Sequence, residues 1–134
     1  MFSIGYKKNE IVFHDDLCKK TSCGCMGGIR YSKKNNILVL FVKKNSQYEN
    51  VWEGDLLKYM GSGKGNQSIY KQGNIKLAEA TKNNTDIFLF EWLDMYQCRY
   101  IGRMILDNEP YYEMHQNKYG EMERKVIFPL KMLN

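Results

Sequence analysis

The chain has 134 residues, 43% of them apolar and 26% charged, with a formal net charge of +5 at pH 7. That length suits one domain, burying roughly two thirds of its unfolded surface, and the composition is that of an ordinary soluble globular protein. No run of eighteen apolar residues occurs, which excludes a helical membrane span, and no apolar secretory segment opens the chain, so a cytoplasmic location with free thiols is expected.

The first twenty residues are mixed. Glu10 to Lys20 reads as a short helix with Ile11, Phe13 and Leu17 on its inner face. Thr21 to Gly28 is a glycine–cysteine loop, in which Gly27-Gly28 marks a positive φ or a place where no side chain fits. Cys18, Cys23 and Cys25 are poorly spaced for zinc, whose ligand pairs are usually separated by two to four residues and belong to sets of four. Cys98 lies in an expected strand, and His14 and His115 are far apart in the chain. No metal and no cofactor is therefore expected.

Ile29 to Ser32 and Ile37 to Lys43 read as a strand hairpin around the turn Lys33-Lys-Asn-Asn36. The second strand is continuously apolar, so it should be buried on both faces. The stretch Tyr48 to Gln67 follows, and the rest of the chain is organised around it. Tyr48 and Tyr59 lie eleven residues apart with Glu49, Asn50, Trp52, Glu53 and Asp55 between them, and Gly61, Gly63 and Gly65 come after a strand at Lys58 to Met60. Aromatic faces, an amide edge and a flexible, amide-exposing glycine loop together suit a nucleobase held near a phosphate. The same residues also fit half-buried packing tyrosines beside a plain loop.

Asn74 is placed to cap a helix of about eight residues beginning at Ile75. Asp86 to Leu93 and Arg99 to Leu106 are strands, and Asn108 to Pro110 ends the second. Tyr111, Tyr112 and Met114 lead into a polar turn from Gln116 to Gly120. Arg124 to Leu133 is a last strand, in which Pro129 implies an edge or a bulge. The reading is mainly β with short helices (α+β), with about six or seven strands and turns every eight to twelve residues. That pattern suits a small barrel or strongly curved sheet.

Several of these segments, in their order, resemble the SRA (SET and RING-associated) domain, in particular the SRA-like modules attached to HNH nucleases in bacterial modification-dependent (type IV) restriction enzymes. Met26-Gly-Gly-Ile29 is similar to the family's glycine loop before a hairpin. Tyr48-Glu-Asn50 is similar to its Tyr-x-Asp, and Tyr59-Met-Gly-Ser-Gly63 to its Tyr-Thr-Gly-x-Gly. Asn66-Gln67, Gly73-Asn74, Ile87 to Glu91, Tyr100 to Met104 and Phe128 to Leu130 continue the likeness, which spans residues 22–133.

The resemblance implies a PUA-like curved β-barrel over residues 1–134. It implies binding of double-stranded DNA that carries 5-methylcytosine or a bulkier modified cytosine, with the modified base flipped into a pocket. By position, Tyr48 and Tyr59 would sandwich the base and Asn50 would read its edge, while Met60, Gly61, Ser62 and Gly63 would line the pocket. Met26, Gly27, Gly28, Ile29 and Arg30 would approach the groove and fill the vacated space. Lys33, Lys64, Lys71 and Asn74 would contact the groove or phosphates, as would Lys34, Lys43 and Lys44.

Two departures bear on specificity. Asparagine at 50 replaces an aspartate, adding a donor that also fits the edge of adenine. Methionine at 60 replaces a threonine and offers an adaptable surface for a larger substituent.

The domain is expected to be non-catalytic and bacterial, and to target a covalently linked nuclease domain outside this chain. The carboxylates Glu49, Glu53, Asp55 and Glu91 form no catalytic motif. Rival readings are a PUA-like RNA-binding module and a reader of N6-methyladenine or phosphorothioate.

Overall fold

A computed structural model describes residues 2–43 and 50–133. The elements run β1 (Ile11–Phe13), α1 (His14–Thr21), β2 (Ile29–Ser32), β3 (Ile37–Lys43), β4 (Asn50–Glu53), β5 (Leu56–Met60), α2 (Gln72–Ala78), β6 (Asp86–Trp92), β7 (Gln97–Leu106), β8 (Tyr111–Gln116) and β9 (Met122–Met132). The described strands form one nine-stranded mixed sheet in the order β2-β3-β6-β7-β9-β5-β4, with β1 on β7 and β8 on β9. The architecture is thus mainly β with two short helices, as the sequence implies. The extra strands are β1, only three residues long, and β4 and β8, which mix polar with apolar residues and lie mostly exposed.

Strand β3 explains why its sequence is apolar throughout. Leu38, Leu40 and Val42 point into one core, with Leu57, Leu77, Leu89 and Phe128. Ile37, Val39 and Phe41 point into a second, with Leu17, Phe88, Phe90 and Tyr100. Successive strand side chains face opposite ways, so a strand covered on both sides needs no polar residue. Helix α1 covers one face through Leu17 and α2 the other through Leu77.

Three expectations are corrected. Ile11 and Phe13 are not the inner face of a helix. They lie on β1, 51% and 58% exposed, while Val12 between them is buried. The helix starts only at His14, because pairing of Ile11–Phe13 with Gln97–Arg99 outcompetes a local turn. Helix α2 starts at Gln72, so Asn74 lies inside it and is not its cap.

Pro129 sits in neither an edge nor a bulge. Strand β9 pairs with β8 up to Ile127, with β5 from Ile127 to Lys131, and with β7 from Leu130 to Met132. The Gly61 N–H to Val126 carbonyl bond marks a bonded pair on the β5 side. Alternation then makes Lys58/Pro129 a non-bonded pair. On the other side, past the end of β8, the Asp107 N–H donates to the Pro129 carbonyl at 2.8 Å, so the return bond that the proline cannot make is only the last rung of the β7 ladder. Among the described residues no helix is long and apolar enough to cross a membrane.

Candidate functional site

A cavity of about 670 Å³ opens where five segments distant in sequence converge. The Cys25–Gly28 loop and Arg30 form one wall. Phe41, Lys43 and Trp92, at the ends of β3 and β6, form the floor. Asn50, Tyr59, Met60 and the Gly61–Gly63 loop face them, and the β8–β9 hairpin contributes His115, Gln116, Asn117, Glu123 and Lys125. The aromatic floor follows from the parallel pairing of β3 with β6, which aligns Phe41 with Phe90 and Lys43 with Trp92. Phe41 and Trp92 stack with centroids 4.5 Å apart and planes at 18°.

Of the expected pocket residues, Asn50, Tyr59, Met60, Gly61, Ser62 and Gly63 all line this cavity. Tyr48 lies outside the described residues. The Tyr59 hydroxyl is 3.1 Å from the carbonyls of both Gly28 and Phe41, which ties β5 to the base of the β2–β3 hairpin. The residue is 3% exposed and packs in the core with Leu57 and Phe128, so it is not the open stacking face its place in the motif suggests. Asn50 accepts the Met60 N–H through Oδ1 at 2.9 Å. That bond fixes the orientation of the amide, so Nδ2 is the group left to face the cavity.

The glycine loop is not the flexible, amide-exposing segment its composition suggests. The Gly61 N–H is given to Val126 O at 2.8 Å and the Ser62 N–H to Asn74 Oδ1 at 2.8 Å. Asn74, fully buried, returns Nδ2 to the carbonyls of Ser62 (3.0 Å) and Ser68 (2.9 Å). Gln67, 3% exposed, donates to the carbonyls of Gly61 and Gly63 and accepts the Val126 N–H. A Cβ at Gly61 would stand 2.7 Å from Asn74 Oδ1. Asn74 is therefore a staple of the loop and not a DNA contact. Buried amides with every polar atom paired rigidify what they hold.

The groove-facing set divides. Met26 is 87% exposed at the rim, with Gly27 and Gly28 on the wall. Ile29 is a packing residue, close enough to α2 that a Cβ on Gly73 would meet its Cγ2 at 2.6 Å. Lys33 is exposed in the turn at the far end of β2, and Lys64 and Lys71 are exposed outside the cavity lining.

Arg30 is not the free groove contact its position suggests. It is 4% exposed and lies 4.3 Å over the Phe41 ring. Its Nε donates to Gly27 O at 2.9 Å, and Nη1 reaches His14 Nε2 at 2.7 Å, Gly24 O at 3.4 Å and Cys18 Sγ at 3.7 Å. Accepting from a guanidinium requires a neutral His14. Burial, then the Arg30 charge, holds that imidazole below its usual value. Burial also pushes the Cys18 thiol up to about 12.

Trp92, Lys125, Glu123 and His115 are cavity residues that the chain order hides. The first depends on a parallel pairing; His115 and Glu123 flank the stretch that reads as a polar turn, and Lys125, though on an expected strand, carries no sign of which way it faces. Trp52 is 42% exposed on β4, outside the cavity. Glu91 is committed to Arg99 at 3.5 Å and Glu53 is exposed; Glu49 lies outside the described residues, and among those described no cluster of His, Cys, Asp and Glu could hold a metal ion.

The family model of the ScoMcrA-like SRA domain matches residues 14–134. No curated protein matches the chain in sequence. Among solved structures, the chain is similar to the sulfur-binding domain and SRA domain of ScoMcrA complexed with phosphorothioated DNA. The TM-score is 0.73 at 16% identity, covering 96% of this chain and 40% of that one. It is similar to the type IV phosphorothioation-dependent restriction endonuclease ScoMcrA, with TM-score 0.72 and 16% identity over 96% of this chain and 28% of that one. It is also similar to the SUVH5 SRA domain in complex with hemimethylated CG DNA, with TM-score 0.69 and 17% identity over 98% and 91% of the two chains. At such identities the likeness establishes the fold; the chain spans less than half the length of the ScoMcrA chains.

Proposed function

The chain belongs to the ScoMcrA-like SRA domains, and from that premise we propose that it recognises double-stranded DNA carrying a modified base, flips that base into the cavity, and targets a nuclease domain linked to it in a longer protein. The observation that carries the reading is the convergence of Asn50, Tyr59, Met60 and Gly61–Gly63 with the Met26–Gly28 loop on one cavity of about 670 Å³. Pockets for small ligands fall in the same range, about 300–1,000 Å³. Related SRA domains have been solved with phosphorothioated and hemimethylated DNA.

The base is a modified cytosine, 5-methylcytosine or one with a bulkier substituent. Extruding it costs a few kcal/mol, and stacking on aromatic side chains returns about 1–3 kcal/mol per base. Tyr48 supplies that stacking, while Tyr59, 3% exposed and packed in the core, backs the pocket, with Met60 facing the substituent. Asn50 contributes its Nδ2 as a donor, since its oxygen is held by Met60. A donor reads a ring nitrogen or carbonyl of the base, where an aspartate would read its exocyclic amine. Met26, exposed at the rim, enters the stack in place of the extruded base. The domain itself performs no chemistry and uses no cofactor.

A binding panel tests this. Duplexes with a single cytosine, 5-methylcytosine, 5-hydroxymethylcytosine, its glucosylated form, N6-methyladenine or a phosphorothioate linkage are compared, with structured RNA as competitor. Preference for one modified cytosine, lost in Tyr48→Ala and Tyr59→Ala and blurred between bases in Asn50→Ala, supports the reading. Equal affinity for marked and unmarked duplexes overturns it. Preference for RNA or for the sulfur linkage would reassign the domain.

A further inference from the structure

We infer that Arg30 forms an oxyanion subsite inside the cavity, presenting its unused Nη2 edge to a negatively charged oxygen of the extruded nucleotide. This rests on the modified-base reading and adds a ligand chemistry to it.

Arg30 is 4% exposed, yet none of the ion pairs among the described residues includes it. A guanidinium has five N–H groups in a fixed fork. The bonds that Arg30 makes leave from Nε and Nη1, to Gly27, Gly24, His14 and Cys18. Nη2 makes none. No buried side-chain nitrogen among the described residues lacks a partner, so Nη2 is reached from the cavity that Arg30 lines.

The partners already present are neutral. His14 accepts as an uncharged imidazole and the two carbonyls carry only partial charge, so the cation remains uncompensated in a partly dry site. Its ring partner Phe41 orients the plane without neutralising it. Of the other charged lining residues, Lys43 and Lys125 are cations and Glu123 is a carboxylate, 3.4 Å from Lys125 Nζ. Cationic N–H groups thus outnumber anionic acceptors. An oxyanion fits that surplus, and a methyl group does not use it. A planar fork suits carboxylate or phosphate oxygens better than a lone amine does.

Two sources supply such an oxygen: a carboxylate on C5 of the flipped cytosine, or a non-bridging oxygen of a phosphate flanking it. Binding is measured by fluorescence anisotropy on duplexes with one central cytosine, 5-methylcytosine or 5-carboxylcytosine. A further 5-methylcytosine duplex carries a neutral methylphosphonate beside the marked nucleotide.

A carboxylate source predicts that the wild-type domain prefers 5-carboxylcytosine over 5-methylcytosine by roughly tenfold, the scale of one hydrogen bond to a charged group. That preference shrinks to within about threefold in Arg30→Gln by the same scale. A phosphate source predicts equal binding of the two bases, and a loss of roughly tenfold on methylphosphonate substitution in wild type but not in Arg30→Gln.

Because Arg30 also holds the cysteine–glycine loop, the wild type provides an arm that needs no variant. The Arg30 Nε–H resonance should shift on binding the duplex that carries the oxyanion, and shift less with its neutral counterpart. The subsite is overturned if wild type shows neither preference, or if the Arg30 resonance responds equally to charged and neutral duplexes. Failure of the modified-base reading looks different: marked and unmarked cytosine then bind alike, whatever happens at the phosphate.

Discussion

Two loops wall the cavity, and they are held in opposite ways. The Gly61–Gly63 loop is fixed by two buried neutral amides, Asn74 and Gln67, whose polar atoms are paired with backbone groups. The Gly24–Gly28 loop is fixed by one buried cation, Arg30, which bonds two of its carbonyls and keeps donors to spare. A neutral, saturated staple can only support structure. A cation without a counter-ion supports structure poorly for its desolvation cost, and makes sense where something negative completes it.

The largest effect expected from breaking this contrast is at Asn74. Asn74→Ala strands the Ser62 N–H and the carbonyls of Ser62 and Ser68. At about 1–3 kcal/mol for a buried group left unpaired, urea unfolding should show a loss of roughly 3 kcal/mol or more, together with loss of selective DNA binding. A loss below about 1 kcal/mol would mean that water replaces the amide and the loop is not stapled.

Gly61→Ala comes next. It drives a methyl against Asn74 Oδ1, at the usual overpacking cost of about 1–3 kcal/mol. Gly65→Ala, in more open space but at φ +64°, separates backbone strain from collision with the staple.

Arg30→Met sharpens the comparison from the other side. The exchange removes a buried charge together with its bonds to Gly27, Gly24 and His14, so the relief of desolvation offsets part of the loss. Stability should fall by less than in Asn74→Ala, while affinity for marked duplex falls. If the chain unfolds instead, the cation is a staple like Asn74, and the contrast is lost.

The smallest effect belongs to His14. Its folded-state value is depressed below 6.5 by burial and then by Arg30. Between those two values the unfolded chain binds the proton and the folded chain does not. The stabilising contribution is therefore complete above pH 6.5 and is lost as pH falls towards the folded-state value. Urea midpoints measured from pH 8 to pH 5 should decline through this window, and His14→Gln, which keeps an acceptor, should flatten that part of the profile.

These contrasts also mark what the sequence can express. Strands β2, β3, β6 and β7 were legible because their apolar runs or alternation exceed what a helix or loop tolerates. The pocket side of β5 and its glycine loop were legible as a motif. Asn74 read as a helix cap and Arg30 as a groove contact, because a polar residue beside glycine is usually exposed. Their burial depends on α2 packing against Ile29 and on α1 closing over β2, which are tertiary facts. The hairpin residues Glu123 and Lys125 were invisible for the same reason. Nothing local tells that β8 and β9 rise beside a floor built from β3 and β6.

That floor has a consequence for how the domain can change over time. Strands β3 and β6 are the one parallel pairing among the described strands, and it is this register that brings Trp92 over Phe41. Slipping β6 by one position would turn the indole to the opposite side of the sheet and leave Arg30 on Phe41 alone. Insertions within either strand would thus disturb the cavity floor as well as the core. Novelty in what is bound must come instead from the rims, where the hairpin tip and the methionine loop can lengthen, shorten or exchange side chains while the bed beneath stays fixed.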